Sequence, residues 1–214
     1  VKKLNDRVRK VDKSHYQFRN YVNKHRLLSI WHQLDEVFLL NPSSILELGI
    51  GPGLFKLILS HFGYVVTTVD IDPELKPDYV ASATEIPIAD NSYDCVCSFQ
   101  MLEHLPYEQS LIAFSEMVRI ARNNIIISLP DAKSLWVYSL HIPKLGQVTF
   151  HVPRPRLRQK KLKVYGLHYW EINKPGYPLE KIISDFNKYN VCMIKTYRVI
   201  ENPYHRFFLF KILK

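Results

Sequence analysis

The sequence predicts an α/β fold, a mostly parallel sheet with helices on both faces. Three observations carry this. Short, near-continuous apolar runs recur (Ile45–Leu48, Tyr64–Val69, Tyr93–Phe99, Ile125–Leu129), helical segments separate them (Leu54–Phe62, Pro106–Ile120), and the first run meets a glycine cluster. Strands that are apolar at consecutive positions belong to sheets buried on both faces, and intervening helices supply the cover.

The elements follow in order. Residues 14 to 40 place Phe18, Tyr21, Val22, Leu27, Leu28, Ile30, Trp31, Leu34, Val37 and Phe38 at helical spacing, predicting one or two amphipathic helices that end at Asn41-Pro42-Ser43-Ser44. A short strand is expected near Tyr79-Val80. Pro178 opens a helical stretch to about Tyr189, with proline where a first turn tolerates it. Val191–Ile200 and His205–Leu213 read as two strands around Asn202-Pro203. Asp131 to Tyr177 reads as a long irregular segment containing Pro143, Pro153, Pro155 and Pro175. Such length inside a compact domain usually serves function.

The 214 residues fit a single domain (1–214) large enough to bury a core without staples. It divides into N-terminal helices (1–44), a binding core (45–130), an insertion (131–177) and a C-terminal helix with a strand pair (178–214). Three cysteines, Cys95, Cys97 and Cys192, are too few and too irregular for a disulfide framework. Cys95 and Cys97 share one face of a strand and read as buried thiols in a reducing cytoplasm. No second cysteine pair completes a zinc site, and no metal is expected. No run reaches the roughly 20 apolar residues of a membrane span. The formal net charge of +9 favours an anionic partner such as RNA, anionic lipid or a phosphorylated substrate, and peripheral membrane contact stays open.

The chemistry starts at Ile45-Leu46-Glu47-Leu48-Gly49-Ile50-Gly51-Pro52-Gly53-Leu54-Phe55. A strand ends, glycines turn the chain, and a helix starts, which is where open α/β sheets bind nucleotides. A dinucleotide fingerprint beginning at Gly49 would require glycine at Leu54, and Pro52 lacks an N–H for pyrophosphate. A phosphate-free ligand fits better. Asp70 closes the second strand 21 residues after Gly49, where a carboxylate can accept both hydrogen bonds of a ribose diol.

Four stretches in order then resemble class I methyltransferases that use S-adenosylmethionine (SAM), of the subfamily called type 11. Glu47-x-Gly49-x-Gly51-x-Gly53 is similar to motif I, and Asp70 to the acidic end of strand two. Ala81-Ser82-Ala83-Thr84-Glu85-Ile86-Pro87 with Asp90-Asn91-Ser92-Tyr93-Asp94 resembles the stretch that faces adenine. Ser98 to Pro106, containing Glu103-His104-Leu105-Pro106, resembles the fourth strand and its turn. The resemblance implies a Rossmann-like seven-stranded sheet in the order 3-2-1-4-5-7-6 with the last strand antiparallel. It implies SAM as cofactor and S-adenosylhomocysteine as product, held by Glu47, Gly49, Ile50, Gly51, Gly53, Asp70, Ile71, Ser82, Ala83, Thr84 and Gln100. One departure matters: the family aspartate that receives the adenine amino group falls on Ser82.

On the acceptor side, His104 is expected near the methyl position, either as a base or as a structural cap before Pro106. His168 sits where the family often lines its acceptor pocket, followed by Tyr169 and Trp170 as pocket walls or core packing. Arg154, Arg156, Arg158 and Lys160 alternate, and with Lys161 and Lys163 read as an arm for an anionic acceptor or as a solvated edge. Asn202-Pro203-Tyr204 lies too late in the chain for a methyl-site motif and reads as a turn. The expected reaction is methyl transfer to a small-molecule, glycan-precursor or lipid-precursor acceptor. RNA methylation, a non-catalytic binding protein and a nicotinamide-dependent oxidoreductase are the competing readings, with nucleic acid less favoured because no separate RNA-binding module is visible.

Overall fold

The computed structural model describes residues 22–154 and 168–213. Helix α1 (Lys24–Leu40) starts at Asn23, whose side chain accepts a hydrogen bond from Arg26 N–H, and ends at Asn41 in a left-handed conformation. Residues 14 to 21 of the expected helical region lie outside the described residues. Strand β1 (Ile45–Leu48) leads through helix α2 (Leu54–His61) to β2 (Val66–Asp70) and the short β3 (Tyr79–Val80). Next come β4 (Tyr93–Phe99), helix α3 (Tyr107–Ile120) and β5 (Ala121–Pro130), longer than the apolar run had suggested.

These strands join the C-terminal pair β8 (Val191–Arg198) and β9 (His205–Ile212) in one seven-stranded sheet, ordered β3-β2-β1-β4-β5-β9-β8. Pairing is parallel from β3 to β5, and β9 runs antiparallel to both β5 and β8. The order agrees with 3-2-1-4-5-7-6 once two intervening strands, which form a sheet of their own, are left out of the count.

Alternation along each strand sorts side chains between two cores. Ile45, Cys95, Cys97, Ile126, Phe207 and Leu209 point to the side packed by Ile30, Leu34 and Val37 of α1 and Phe55 and Leu59 of α2. Leu46, Leu48, Val96, Ile125, Ile127, Phe208 and Phe210 point the other way, against Phe114 and Met117 of α3 and Ile182 and Phe186 of helix α4 (Leu179–Phe186). The thiols of Cys95 and Cys97 are buried 3.7 Å apart on the shared face, as the spacing implies. Not all of the apolar face of α1 is covered, since Trp31 is 56% exposed.

The largest correction concerns 131 to 177, which is not simply irregular. It contains a β-hairpin, β6 (Leu135–Ile142) and β7 (Gly146–Pro153), paired antiparallel along their full length. Its prolines stand at the turn (Pro143) and at the strand end (Pro153), where the ladder does not need their N–H. The segment leaves the sheet beside the point where it returns, for Ala132 N–H donates to Ile172 O at 2.8 Å and Ile172 N–H to Pro130 O at 3.0 Å. Asp131 anchors this junction, accepting from Asn173 Nδ2 and Arg206 Nε at 2.8 Å each. Asn202-Pro203-Tyr204 is indeed a turn, with His205 N–H donating to Asn202 O. No described helix is long and apolar enough to cross a membrane.

Candidate active site

Sheet register assembles the first half of the site. Leu48 lies beside Val69 on one side and Ser98 on the other, so Gly49, Asp70 and Phe99 emerge together from the carboxyl ends of three neighbouring strands. Gly49 has φ +82°, and a Cβ there would lie 2.7 Å from Met101 Cγ. Its lack of a side chain is therefore required by the turn after β4 as well as by the backbone angle. Gly53, at φ +72°, starts α2. Gly51 lies between them in the same loop.

Asp70 ties the loop to β2. Its Oδ2 accepts from Ile50 N–H at 3.0 Å and its Oδ1 from Asp72 N–H at 2.9 Å. A carboxylate has about four acceptor positions, so with Ile71 N–H also bonded it keeps room for a ligand hydroxyl. Burial raises the Asp70 pKa, opposed by these backbone hydrogen bonds. Glu47 lies beneath the loop, buried, with Oε2 lacking a hydrogen-bond partner among the described residues. Burial, helped by the Asp70 charge, holds its pKa well above the ordinary value. Ile71 stays 41% exposed at the mouth.

Ser82, Ala83 and Thr84 form a tight turn, where Ser82 Oγ lies 2.8 Å from Thr84 Oγ1 and receives Thr84 N–H at 3.3 Å. The Thr84 amide thus points to Ser82 Oγ, two residues before it. Gln100 takes a left-handed φ of 53° as β4 ends, its N–H donating to Ser128 O at 2.9 Å.

The second half gathers around the 3-10 turn Leu102–His104. Tyr169 N–H donates to Glu103 O at 2.9 Å, which draws the returning chain over the turn. The rings of His104 and His168 consequently sit 4.9 Å apart, edge to face. His168 Nδ1 lies 3.1 Å from Glu171 Oε1, and its Nε2 lies 3.9 Å from Glu103 Oε1. Glu103 is fully buried with both carboxylate oxygens lacking hydrogen-bond partners among the described residues. Burial pushes its pKa up to about 7, with the His168 charge pulling the other way. Burial alone would lower the pKa of His168, but the Glu171 hydrogen bond and the Glu103 and Glu171 charges outweigh it and raise it. Glu171 is held low, despite burial, by hydrogen bonds from His168 and Tyr204. His205 lies buried beyond them, its pKa pushed down to about 3 by burial and by Arg26 and His168.

This half combines proton acceptors of graded strength. It also offers a metal donor set, because ligand atoms of Glu103, His104 and His168 fall within 4.8 Å of one another. The sequence marks the two histidines for the acceptor side but gives no such role to Glu103, Glu171, Tyr204 or His205, which converge only where distant stretches of the chain fold together.

Of the two readings open for Trp170, its burial against Tyr107 and Tyr177 fits core packing. Arg154 is exposed where β7 ends, and its N–H donates to Ser134 O. Tyr169 is partly buried against the core. Arg156, Arg158, Lys160, Lys161 and Lys163 lie outside the described residues.

Residues 46–128, the stretch containing the glycine loop, Asp70 and the Glu103-His104 turn, match a family model described as a methyltransferase domain. Over that stretch the chain is similar to methyltransferase domains, and its seven-stranded sheet has the class I methyltransferase fold. No curated protein sequence matches the chain. Solved structures share the methyltransferase fold at low identity. A protein from Pyrococcus horikoshii OT3 superposes at TM-score 0.61 with 14% identity, covering 92% of this chain and 95% of that one. The N-methyltransferase NodS from Bradyrhizobium japonicum WM9, solved with S-adenosyl-L-homocysteine, superposes at 0.58 with 14% identity, covering 92% of each chain. The small RNA methyltransferase HEN1 also superposes at 0.58 with 14% identity, covering 88% of this chain but 25% of its own.

Proposed function

We propose that this protein transfers a methyl group from SAM to a small-molecule, glycan-precursor or lipid-precursor acceptor. The observation that carries the reading is the Asp70 carboxylate, bound to the glycine loop through Ile50 N–H and still able to accept from a ribose diol. The residues fit the cofactor's chemistry at its other ends too. The glycine turn leaves backbone open to the amino-acid part, and exposed Ile71 offers an apolar cover for adenine. When bound, SAM supplies a methyl group on a sulfonium that leaves as a neutral thioether.

The chain's own residues then have two tasks. One is alignment, because an activated methyl needs mainly a well-placed nucleophile and exclusion of water. Gln100 and Met101 close the end of β4 beside the loop and suit that task. The other is proton removal from the acceptor. A neutral His168 that donates Nδ1–H to Glu171 keeps its Nε2 lone pair for this, the tautomer being assigned from the hydrogen bond. Glu171 is a positioning residue for that ring. The free cysteines fit a reducing, cytoplasmic setting.

Titration calorimetry with SAM and S-adenosylhomocysteine tests the reading directly. Saturable binding in the micromolar range supports it, while no heat at millimolar concentration would leave a binding or scaffold protein instead. RNA is the second reading, favoured by the basic residues between Asp131 and Glu171. Salt-sensitive RNA binding, together with methyl transfer from labelled SAM to RNA, would replace the small-molecule assignment.

A further inference from the structure

We propose that the β6–β7 hairpin is a docking face for an anionic lipid bilayer, with its apolar side laid into the headgroup region. The register divides the hairpin into two unlike faces. Trp136 pairs with Val152, Tyr138 with Phe150, and Leu140 with Val148, while Ile142 closes the row opposite Gly146. Directly opposed residues share a face, so this side is apolar from end to end. The stacked rings of Tyr138 and Phe150, 5.5 Å apart, confirm the alignment. The alternate positions are mostly polar: Gln147 Nε2 donates to Ser139 Oγ, which lies 3.1 Å from Thr149 Oγ1.

The polar side also carries the tie to the body, through His151 Nε2 and Ile200 O at 2.8 Å. The apolar side therefore faces away from the sheet. Trp136, Tyr138, Leu140, Val148 and Phe150 are all exposed, Leu140 by 54%, and Leu145 at the turn by 74%. Contiguous apolar surface of this kind on a soluble protein marks a contact site.

Charge selects the occupant. No aspartate or glutamate stands between Asp131 and Glu171, whereas Lys133, Lys144 and Arg154 flank the two ends of the hairpin and the sequence continues with Arg156, Arg158, Lys160, Lys161 and Lys163. A second copy would bring the same positive charge against itself, but an anionic bilayer neutralises it. The half of the face nearest the turn, Leu140, Ile142, Leu145 and Val148, offers RNA neither stacking nor hydrogen bonds. Trp and Tyr beside a basic flank suit the membrane–water boundary.

Co-sedimentation of the full chain with phosphatidylcholine vesicles, with and without phosphatidylserine, tests this. Binding is expected only with phosphatidylserine, weakening as salt rises. Phe150→Glu should reduce it at least about tenfold, and Leu145→Asp, a change confined to the exposed turn, should do the same. Gln147→Glu, which adds the same charge on the polar face, should reduce it much less. Circular dichroism and retained SAM affinity show that the variants are folded, and a chain that binds vesicles but not SAM would refute the proposed reaction while leaving this surface in place. The proposal is overturned if the parent protein ignores anionic vesicles or if the three variants lose binding equally, as for charge alone. It is also overturned if light scattering shows a dimer that Phe150→Glu dissolves, or if the face binds single-stranded RNA in preference to vesicles.

Discussion

Ile50 N–H donates to Asp70 Oδ2 at 3.0 Å, so the glycine loop after β1 and the acid that ends β2 form one hydrogen-bonded unit. A ligand held by both meets a loop whose position is already set, which lowers the ordering cost of binding.

Asp70→Ala is expected to weaken SAM binding by about 1–3 kcal/mol, the loss associated with a charged hydrogen-bonding partner. Calorimetry on the folded variant measures it. Unchanged affinity would remove Asp70 from the site.

Gly49→Ala places a methyl 2.7 Å from Met101 Cγ at a backbone φ of +82°. Strain and overpacking together should cost about 2 kcal/mol or more, lowering the melting temperature by roughly 4–8 °C. The penalty should shrink in a Met101→Ala background. An undiminished penalty would mean that the side-chain contact contributes nothing.

Glu103 carries a pH signature. Its folded pKa of about 7 lies above the ordinary value of 4.5, so the fold favours the protonated carboxyl. That contribution is fully present below pH 4.5 and is lost as pH rises through 7. Glu103→Gln should therefore gain stability relative to the parent between pH 5 and pH 8, by up to about 3 kcal/mol. Urea unfolding at the two pH values decides it, and a constant difference would show that the carboxyl does not titrate in this range.

Glu171 raises the His168 pKa through its hydrogen bond and charge. Since proton removal requires neutral imidazole, Glu171→Gln should move the acidic limb of the kcat/KM profile to lower pH. A profile that only scales down, without moving, would assign Glu171 a purely structural part.

How much of this could be read in advance follows from the range of the interactions. Ile45–Leu48 and Tyr93–Phe99 announced themselves because a buried strand needs apolar residues at consecutive positions, and Gly49 and Asp70 because each closes such a run. The hairpin was also written in the sequence, as the alternation Trp136, Tyr138, Leu140, Ile142 and Val148, Phe150, Val152. Pro143 and Pro153 disfavour a strand by residue type, although both stand where a hairpin tolerates them. Glu103 adjoins His104, yet its approach to His168 appears only in the fold, where Tyr169 N–H donates to Glu103 O. Glu171 pairs with His168 three positions away, but both meet Glu103 and Tyr204 only through the folded return of the chain, which no local pattern encodes.

The junction at Asp131 has an evolutionary consequence. Because the chain leaves the sheet after Pro130 and rejoins it at Ile172 side by side, held by Asn173 and Arg206, the hairpin β6–β7 can lengthen, shorten or be exchanged without shifting the register of β5 or β9. A change of clientele would then require new sequence in that hairpin alone, while the glycine loop, Glu103, His168 and Glu171 keep their places.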